Sequence, residues 1–271
     1  MGLRVNTNVF SLTAQRNLNN VTSRLQGNFS RLSSGLRIAN AADDAAGLGI
    51  SERMRSQIRS FGAASRNAQD GISLVQTAEG ALAETGSNLS RMRELAVQAS
   101  NGTLSTTDRT TINAEFTALA TEITRTADAT EFNGVALLNN TSSVAIQVGL
   151  DSGDTISISN TDNDAAALGI SGLSTGTAGA AQAALATLDT AIDSVNTSRG
   201  SLGAAQNRLQ STFRSILSAS ENLSASESRI RDVDVAFETA DLTRNSILQQ
   251  ASVSILSQAN VQPQLALSLL G

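Results

Sequence analysis

The sequence predicts a mainly α-helical fold of long antiparallel coiled-coil-like helices, with a small β-hairpin region in the middle and the N- and C-termini paired. Two observations support this fold class. Apolar side chains recur every third or fourth residue over long stretches at both ends of the chain, which is the spacing of helices that pack against other helices. Only 3% of the 271 residues are aromatic, so burial must come from Leu, Ile, Val and Ala along thin helical seams.

The first predicted helix has its apolar seam at Leu18, Val21, Leu25, Phe29 and Leu32. After a segment rich in Ala and Gly, the same spacing continues as far as Ala99, which predicts a second helix well beyond ordinary globular length. Asn101-Gly102 supplies a stop for this helix. Ser105 and Asp108 match a capping box, which predicts the start of a third helix.

The middle of the chain alternates apolar and polar residues, which predicts two small β-hairpins at about residues 131–160. Asn133-Gly134 is a typical turn of the first hairpin, and the sequence DSGD provides the second turn. Residues 160–184 contain few large side chains, so we expect a short exposed connection there. A long helix then follows from Leu185, and after an interruption the chain ends in an amphipathic helix with Leu248, Ala251 and Ile255.

These elements predict a terminal helical domain formed by residues 1–40 and 235–271 with adjoining joints, and a rod-like helical domain formed by residues 41–234. Isolated terminal helices are marginal in water, so their seams need partners. We therefore expect the seams to drive assembly. The predicted assembly residues are Leu18, Val21, Leu25, Phe29, Leu32, Leu248, Ala251 and Ile255.

The segment SGLRIANAADDAAGLGI joins the first two helices and contains an acidic pair, Asp43 and Asp44. The pair has two interpretations, a catalytic or metal site and a helix cap. Side chains adjacent in sequence diverge by about 100° on a helix, so only one carboxylate would face a given site, which favours the cap.

The small side chains of this segment predict a packed backbone joint. Gly35 permits the backbone angles that end a helix, while Ala42 and Ala46 permit close backbone approach. Arg37 is expected to pair with an acid of the same or an adjacent subunit.

Composition argues against an enzyme. The chain has no His and no Cys, and all 19 of its cationic side chains are Arg, which removes the usual general base, the thiol nucleophile and the preferred zinc ligands. We expect no catalytic site, no cofactor and no metal. The net charge of −5 gives no reason to expect nucleic acid or an anionic membrane as a partner. Because no segment has the length of a secretory signal or a membrane span, export would need another route.

Several segments resemble bacterial flagellin, over roughly residues 3–140 and 185–271. The most extended are RLSSGLRIANAADDAAGLGISERMRSQIRS, ASRNAQDGISLVQTAEGALAE, RMRELAVQASNGT and ILQQASVSILSQANVQPQLALSLLG. The large surface-exposed middle that many flagellins carry is missing, so the chain is similar to a near-minimal member.

The resemblance implies a secreted, extracellular subunit that polymerises into the flagellar filament for swimming motility, with its terminal helices paired in the inner tube. The implied partners are other copies of the chain, the flagellar export apparatus and its chaperone, and the filament cap and hook-junction proteins. Two alternatives remain open, a hook-filament junction protein and a secreted coiled-coil binding protein.

The resemblance also implies a possible immune partner. In members recognised by Toll-like receptor 5, the contact region corresponds here to the segment RMREL and the following helix, at Arg91, Leu95 and Glu115. Ser90 stands where those members carry Gln.

Overall fold

The computed structural model describes residues 7–268, with side chains for residues 7–262. Residues 1–6 and 269–271, which belong to the predicted terminal domain, lie outside the described residues. The elements are α1 (Val9–Ser34), α2 (Ala45–Ala99), α3 (Thr106–Ala129), β1 (Glu131–Phe132), β2 (Val135–Ala136), β3 (Ser143–Gln147), β4 (Thr155–Ser159), α4 (Ala178–Arg231) and α5 (Val235–Ser268). The mainly α-helical fold class with small hairpins is confirmed.

The chain forms two compact units. The terminal unit combines the chain up to Ser56 with the chain from Asn222 onward, and the central unit runs from Gln57 to Glu221. The sequence analysis places the domain boundaries near residues 40 and 235, which lie inside the terminal unit. The first turns of α2 and the last turns of α4 therefore belong to the same unit as α1 and α5.

The core of the central unit is built from aliphatic side chains and alanines of α2, α3 and α4. Its largest fully buried members are Leu82, Leu89, Met92, Leu95, Phe116, Ile123, Leu188 and Leu209, joined by Leu137, Ile158 and Ile170 from the hairpins and the connecting loop. Alanines such as Ala68, Ala96 and Ala184 are also completely buried. Because alanine occupies so little space, helices can approach closely at these positions.

Surface ion pairs show that α2 and α4 run antiparallel in this unit. Arg93 of α2 lies 2.6 Å from Asp189 of α4, and Arg199 of α4 lies 2.8 Å from Glu79 of α2. The partner residue number rises on one helix as it falls on the other.

The predicted capping box begins α3, since the Ser105 hydroxyl accepts from the Asp108 N–H at 3.2 Å and the Asp108 carboxylate accepts from the Ser105 N–H at 3.0 Å.

Both predicted hairpins are present as two-stranded antiparallel sheets. In the first, Phe132 pairs with Val135 across Asn133 and Gly134, whose φ angles of 51° and 77° suit a type I′ turn. In the second, Ile146 of β3 pairs with Ile156 of β4. Ile156 and Ile158 are buried while Ser157 between them is exposed, which is the alternation that the sequence shows.

Residues 160–184 are not the exposed connection that the sequence predicts. Leu168 and Ile170 are buried in the central core. The Asn113 side-chain oxygen fixes the end of the loop by accepting from the Thr175 N–H at 2.7 Å, and α4 already begins at Ala178. The prediction fails because the few large side chains of this segment pack against core residues distant in sequence, which local composition does not reveal.

The packing of α4 generates a test with a matched control. Leu209 is fully buried and Leu217, on the same helix, is 49% exposed. Leu209→Ala should lower the free energy of unfolding by about 2 to 5 kcal/mol because it removes buried methyl groups and leaves a cavity. Leu217→Ala should change it by about 0.5 kcal/mol or less. Denaturant unfolding followed by circular dichroism measures both, and equal effects would contradict this core.

Candidate functional site in the terminal unit

Helices α1 and α5 form one antiparallel pair that is held at both ends. At the start of α1, the Asn8 side chain donates to the Ala259 carbonyl oxygen at 2.7 Å, and the Ser11 hydroxyl donates to the Asn260 side-chain oxygen at 2.8 Å. Just beyond the end of α1, the Val233 N–H donates to the Gly35 carbonyl oxygen at 3.0 Å. The predicted pairing of the chain's terminal helices is therefore confirmed.

The pair contacts along a heptad seam, which comprises the buried and half-buried residues that recur at alternating steps of three and four. On α1 the seam consists of Ser11, Ala14, Leu18, Val21, Leu25, Asn28 and Leu32. On α5 it consists of Glu238, Leu242, Asn245, Gln249, Ser252, Leu256 and Ala259. The α1 side is mostly apolar, whereas the α5 side is largely polar or small.

The predicted assembly residues fall into two groups. Leu18, Val21, Leu25 and Leu32 lie on the α1–α5 seam, as listed above. Phe29 is 55% exposed beside the seam. On α5, Leu248 is 43% exposed, Ile255 is 60% exposed and Ala251 is also exposed. These three residues lie outside the α1–α5 seam, because α1 contacts another stripe of α5.

The large side chains that the seam leaves uncovered form what we call the outer apolar surface. Its members on α1 and α5 are Val9, Phe10, Leu12, Phe29, Val235, Phe237, Ile247, Leu248, Val253, Ile255 and Val261. Phe10 and Ile255 also line a shallow groove with Ser254, Gln258 and Gln262. Exposed apolar surface of this extent is typical of protein–protein contact sites.

Polar side chains interrupt the seam near the start of α5. Asn28 donates to the Glu238 carboxylate at 2.7 Å, and Asn245 donates to the Asn28 side-chain oxygen at 3.0 Å. The Arg31 guanidinium lies 3.7 Å from the same carboxylate. Sequence reasoning missed this cluster, although polar residues at seam positions within an apolar heptad pattern were a visible signal.

The joint between α1 and α2 begins at Gly35, whose φ of 71° is left-handed and whose N–H donates to the Arg31 carbonyl oxygen at 2.8 Å. Leu36 then forms an isolated antiparallel bridge with Asp232. Arg37 donates through its side chain to the Ile230 carbonyl oxygen instead of an acid of the same chain. The chain leaving α1 is thus attached by backbone bonds to the segment between α4 and α5.

The acidic pair of the joint binds backbone N–H groups. Asp43 accepts from the N–H groups of Ala39 and Asn40 at 3.1 Å and 3.0 Å, and these bonds hold the pKa of its carboxyl below the ordinary value. Asp44 accepts from the Gly47 N–H at 2.8 Å, directly before α2 begins. The two carboxylates therefore have separate structural tasks. Among residues 7–268 no cluster of metal-ligating side chains occurs.

Close packing in the joint involves Ile38 and Gly47. Ile38 is 1% exposed, and a Cβ added at Gly47 would lie 2.8 Å from its Cδ1 atom. Ala42 and Ala46, the predicted packing residues, are both exposed. Because both alanines are exposed within a single chain, close packing there stays a prediction for the contact with an adjacent subunit.

A further ion pair ties the start of α2 to the end of α4 inside the terminal unit. The Arg231 guanidinium lies 2.6 Å from the Glu52 carboxylate, and Arg55 lies 3.1 Å from the same oxygen. Hydrogen bonds, first from Arg231 and then from Arg55, lower the pKa of Glu52. This cluster keeps an acid charged at the junction of two long helices.

The residues of the predicted receptor contact lie in the central unit and differ in how far they are exposed to solvent. Arg91 and Glu115 are both about half exposed and pair across α2 and α3, with 2.9 Å between the guanidinium and the carboxylate. Leu95 is only 2% exposed and belongs to the core. This burial leaves Arg91 and Glu115 as the accessible residues of the predicted contact.

Comparisons with known proteins decide the family. Residues 5–143 match the family model described as the bacterial flagellin N-terminal helical region, and residues 185–270 match the bacterial flagellin C-terminal helical region. The chain belongs to the bacterial flagellin family. It is a structural subunit of the flagellar filament, and because the family consists of structural filament proteins it is not an enzyme.

Relatives of this flagellin match it over nearly its whole length. A flagellin of Halalkalibacterium halodurans is 49% identical over 98% of this chain and 99% of its own. A flagellin of Bacillus subtilis is 45% identical over 99% of this chain and 100% of its own. The crystal structure of Bacillus cereus flagellin, at 34% identity and a TM-score of 0.52, covers 60% of this chain and 94% of that one.

No helix among the described residues is long and apolar enough to cross a membrane.

The joint offers a test with two neighbouring glycines. Gly47→Ala should destabilise the start of α2 by about 1 to 3 kcal/mol, because the added methyl group must displace the buried Ile38 or the capping Asp44. Gly49→Ala meets nothing within 4 Å and should stabilise the helix by about 0.5 to 1 kcal/mol. Thermal unfolding and hydrogen exchange of the α2 amides measure the difference. A Gly47→Ala variant as stable as Gly49→Ala would contradict the packing at Ile38.

Proposed function

We propose that copies of this flagellin assemble into the filament by burying the outer apolar surface of the terminal unit between neighbouring subunits. The exposure of large side chains on both terminal helices carries this proposal: Phe10 is 63% exposed, Phe237 66% and Ile247 61%. Full burial of such a side chain contributes about 1.5 to 3 kcal/mol, so covering many of them supplies a substantial driving force.

The form of the assembly follows from where the apolar side chains lie. They lie on both α1 and α5, so a subunit can contact more than one neighbour. A head-to-tail contact that does not close on itself produces an open helical filament. In such a filament, Ala42 and Ala46 of the joint are small enough for the backbone of an adjacent subunit to approach closely.

We extend the proposal to export through the flagellar channel with a chaperone, and to contact with the cap and hook-junction proteins. The supporting observation is that α1 contains only Ala14 and Asn28 as buried residues. A helix pair with so few buried side chains opens at low free-energy cost, which suits a chain that must travel unfolded. The secreted, extracellular location of the subunit follows from this route.

Aspartate substitutions on α5 and α1 separate assembly from folding. Ile255→Asp should leave the monomer folded, because residue 255 is 60% exposed, but should abolish polymerisation by placing a charge in the subunit contact. Leu25→Asp should weaken the α1–α5 pair in the monomer as well, because Leu25 is a half-buried seam residue. Limited proteolysis reports pairing in the monomer, and negative-stain electron microscopy reports long uniform tubes.

The matched control is Ile255→Leu, which keeps the apolar volume and should polymerise normally. Filaments of ordinary length from Ile255→Asp would refute the proposed contact. Purified parent protein that forms no tubes by itself would also contradict assembly through this surface alone.

A second function is recognition of the monomer by Toll-like receptor 5, which we propose for Arg91 and Glu115 alone. The supporting observation is that the two side chains are exposed together across α2 and α3, and that Arg91 also pairs with Glu94 at 3.0 Å. The resulting patch of opposite charges is rigidly held on two helices and is accessible on a single chain.

Arg91→Ala should lose most receptor activation by monomer while leaving the fold intact, since exposed ion pairs contribute little to stability. Arg125→Ala is a matched control, because it removes another exposed pair of the central unit, with Glu122. Reporter cells that express the receptor measure the response. An inactive parent monomer would refute the recognition and would point to Ser90, and equal losses in both variants would refute the assignment to Arg91.

A further inference from the structure

The polar cluster in the α1–α5 seam is almost completely removed from solvent. Asn28 is 6% exposed, Glu238 5% and Asn245 8%. Asn28 is bonded on both sides of its amide, since it donates to Glu238 at 2.7 Å and accepts from Asn245 at 3.0 Å. A buried polar group without such partners is costly, so this arrangement is favourable only while the partners stay in place.

The positions of these residues make the cluster sensitive to register. Glu238 and Asn245 are one heptad apart on the α5 seam, and Asn28 bonds to both. If α5 slid by one heptad so that Glu238 took the place of Asn245, Asn28 would lose the Asn245 amide, and the place of Glu238 would lie before the start of α5. Elsewhere on the α5 seam the same slide exchanges side chains of similar size, because Leu242 takes the place of Gln249, Gln249 that of Leu256 and Ser252 that of Ala259.

A simpler role for Glu238 would be to complement the positive end of the α5 dipole, since it lies in the first turn. That role is already filled by Asp234, whose carboxylate accepts from the N–H groups of Ala236 and Phe237 at 3.0 Å and 3.1 Å. A carboxylate that served only the dipole would also gain nothing from burial. The bonds to Asn28 and the nearby Arg31 guanidinium account for its position better.

We propose that Asn28, Glu238 and Asn245 fix the register in which α1 pairs with α5 of the same chain. The register in turn determines which apolar side chains remain on the outer apolar surface for a second copy. Only this last step rests on the proposed function. Buried polar residues of coiled coils are known to specify pairing at some cost in stability. The α5 seam has two such residues, Glu238 and Asn245.

Cysteine pairs can report the register because the chain contains no Cys. Ser11→Cys with Asn260→Cys reports the observed register, since the Ser11 hydroxyl lies 2.8 Å from the Asn260 side-chain oxygen. Ser11→Cys with Val253→Cys reports a slide of one heptad. Full-length monomer is oxidised mildly, and gel mobility separates intrachain from interchain disulfides.

The parent background should form the first cross-link within the chain and almost none of the second. In the triple variant Asn28→Leu, Glu238→Leu, Asn245→Leu, the shifted cross-link should rise about tenfold while the helices remain paired, because an apolar seam without the polar cluster accepts several registers. Interchain cross-links should rise with it. Glu238→Gln keeps a side-chain acceptor for Asn28 and should retain the observed register.

The matched control is Gln249→Leu with Ser252→Leu, which makes the α5 seam more apolar but leaves the cluster intact. It should keep the observed register. The proposal is overturned if the triple variant forms only the first cross-link, if the control shifts as much as the triple variant, or if the parent fails to form the first cross-link. None of these readouts requires polymerisation, so failure of the parent to form filaments would contradict the proposed function alone.

Discussion

The terminal helices present more apolar surface than one partner can cover, and this constraint shapes the rest of the molecule. Helices α1 and α5 contact along a single seam, so bulky side chains on their other faces, such as Phe10 and Ile255, stay exposed. The seam itself is polar at Asn28 and Glu238, which limits its strength. In the proposed assembly, other copies of the chain cover this surface, so that stability and assembly of the terminal unit share one source.

The central unit satisfies its apolar surface internally. Its core joins α2, α3, α4 and both hairpins. Side chains such as Phe116 and Leu209 are fully buried within a single chain. Exposed ion pairs such as Arg93 with Asp189 fix helix orientation more than they add stability. The flagellin chain thus combines a central unit with an extensive internal core and a terminal unit that leaves many large apolar side chains exposed.

The amino-acid sequence by itself determined the features that depend on residues close together in the chain. Heptad spacing identified the long helices, Ser105 with Asp108 identified the start of α3, and Asn133-Gly134 identified a hairpin turn. Each of these signals is a local hydrogen-bonding or periodic pattern, which is why it can be recognised without a fold. The extended matches at both ends also identified the flagellin family.

Only the tertiary structure decided which of several possible faces each helix buries. Periodicity marks Ile255 as one of an apolar stripe, but α5 turns a different and more polar stripe toward α1. In the same way Leu95 is buried in the core. Ile170 is also buried, although the sequence around it predicts an exposed connection. Burial depends on which distant segment arrives opposite a residue, and a partner such as Glu238 for Asn28 lies 210 positions away along the chain. A local pattern carries no information about that choice.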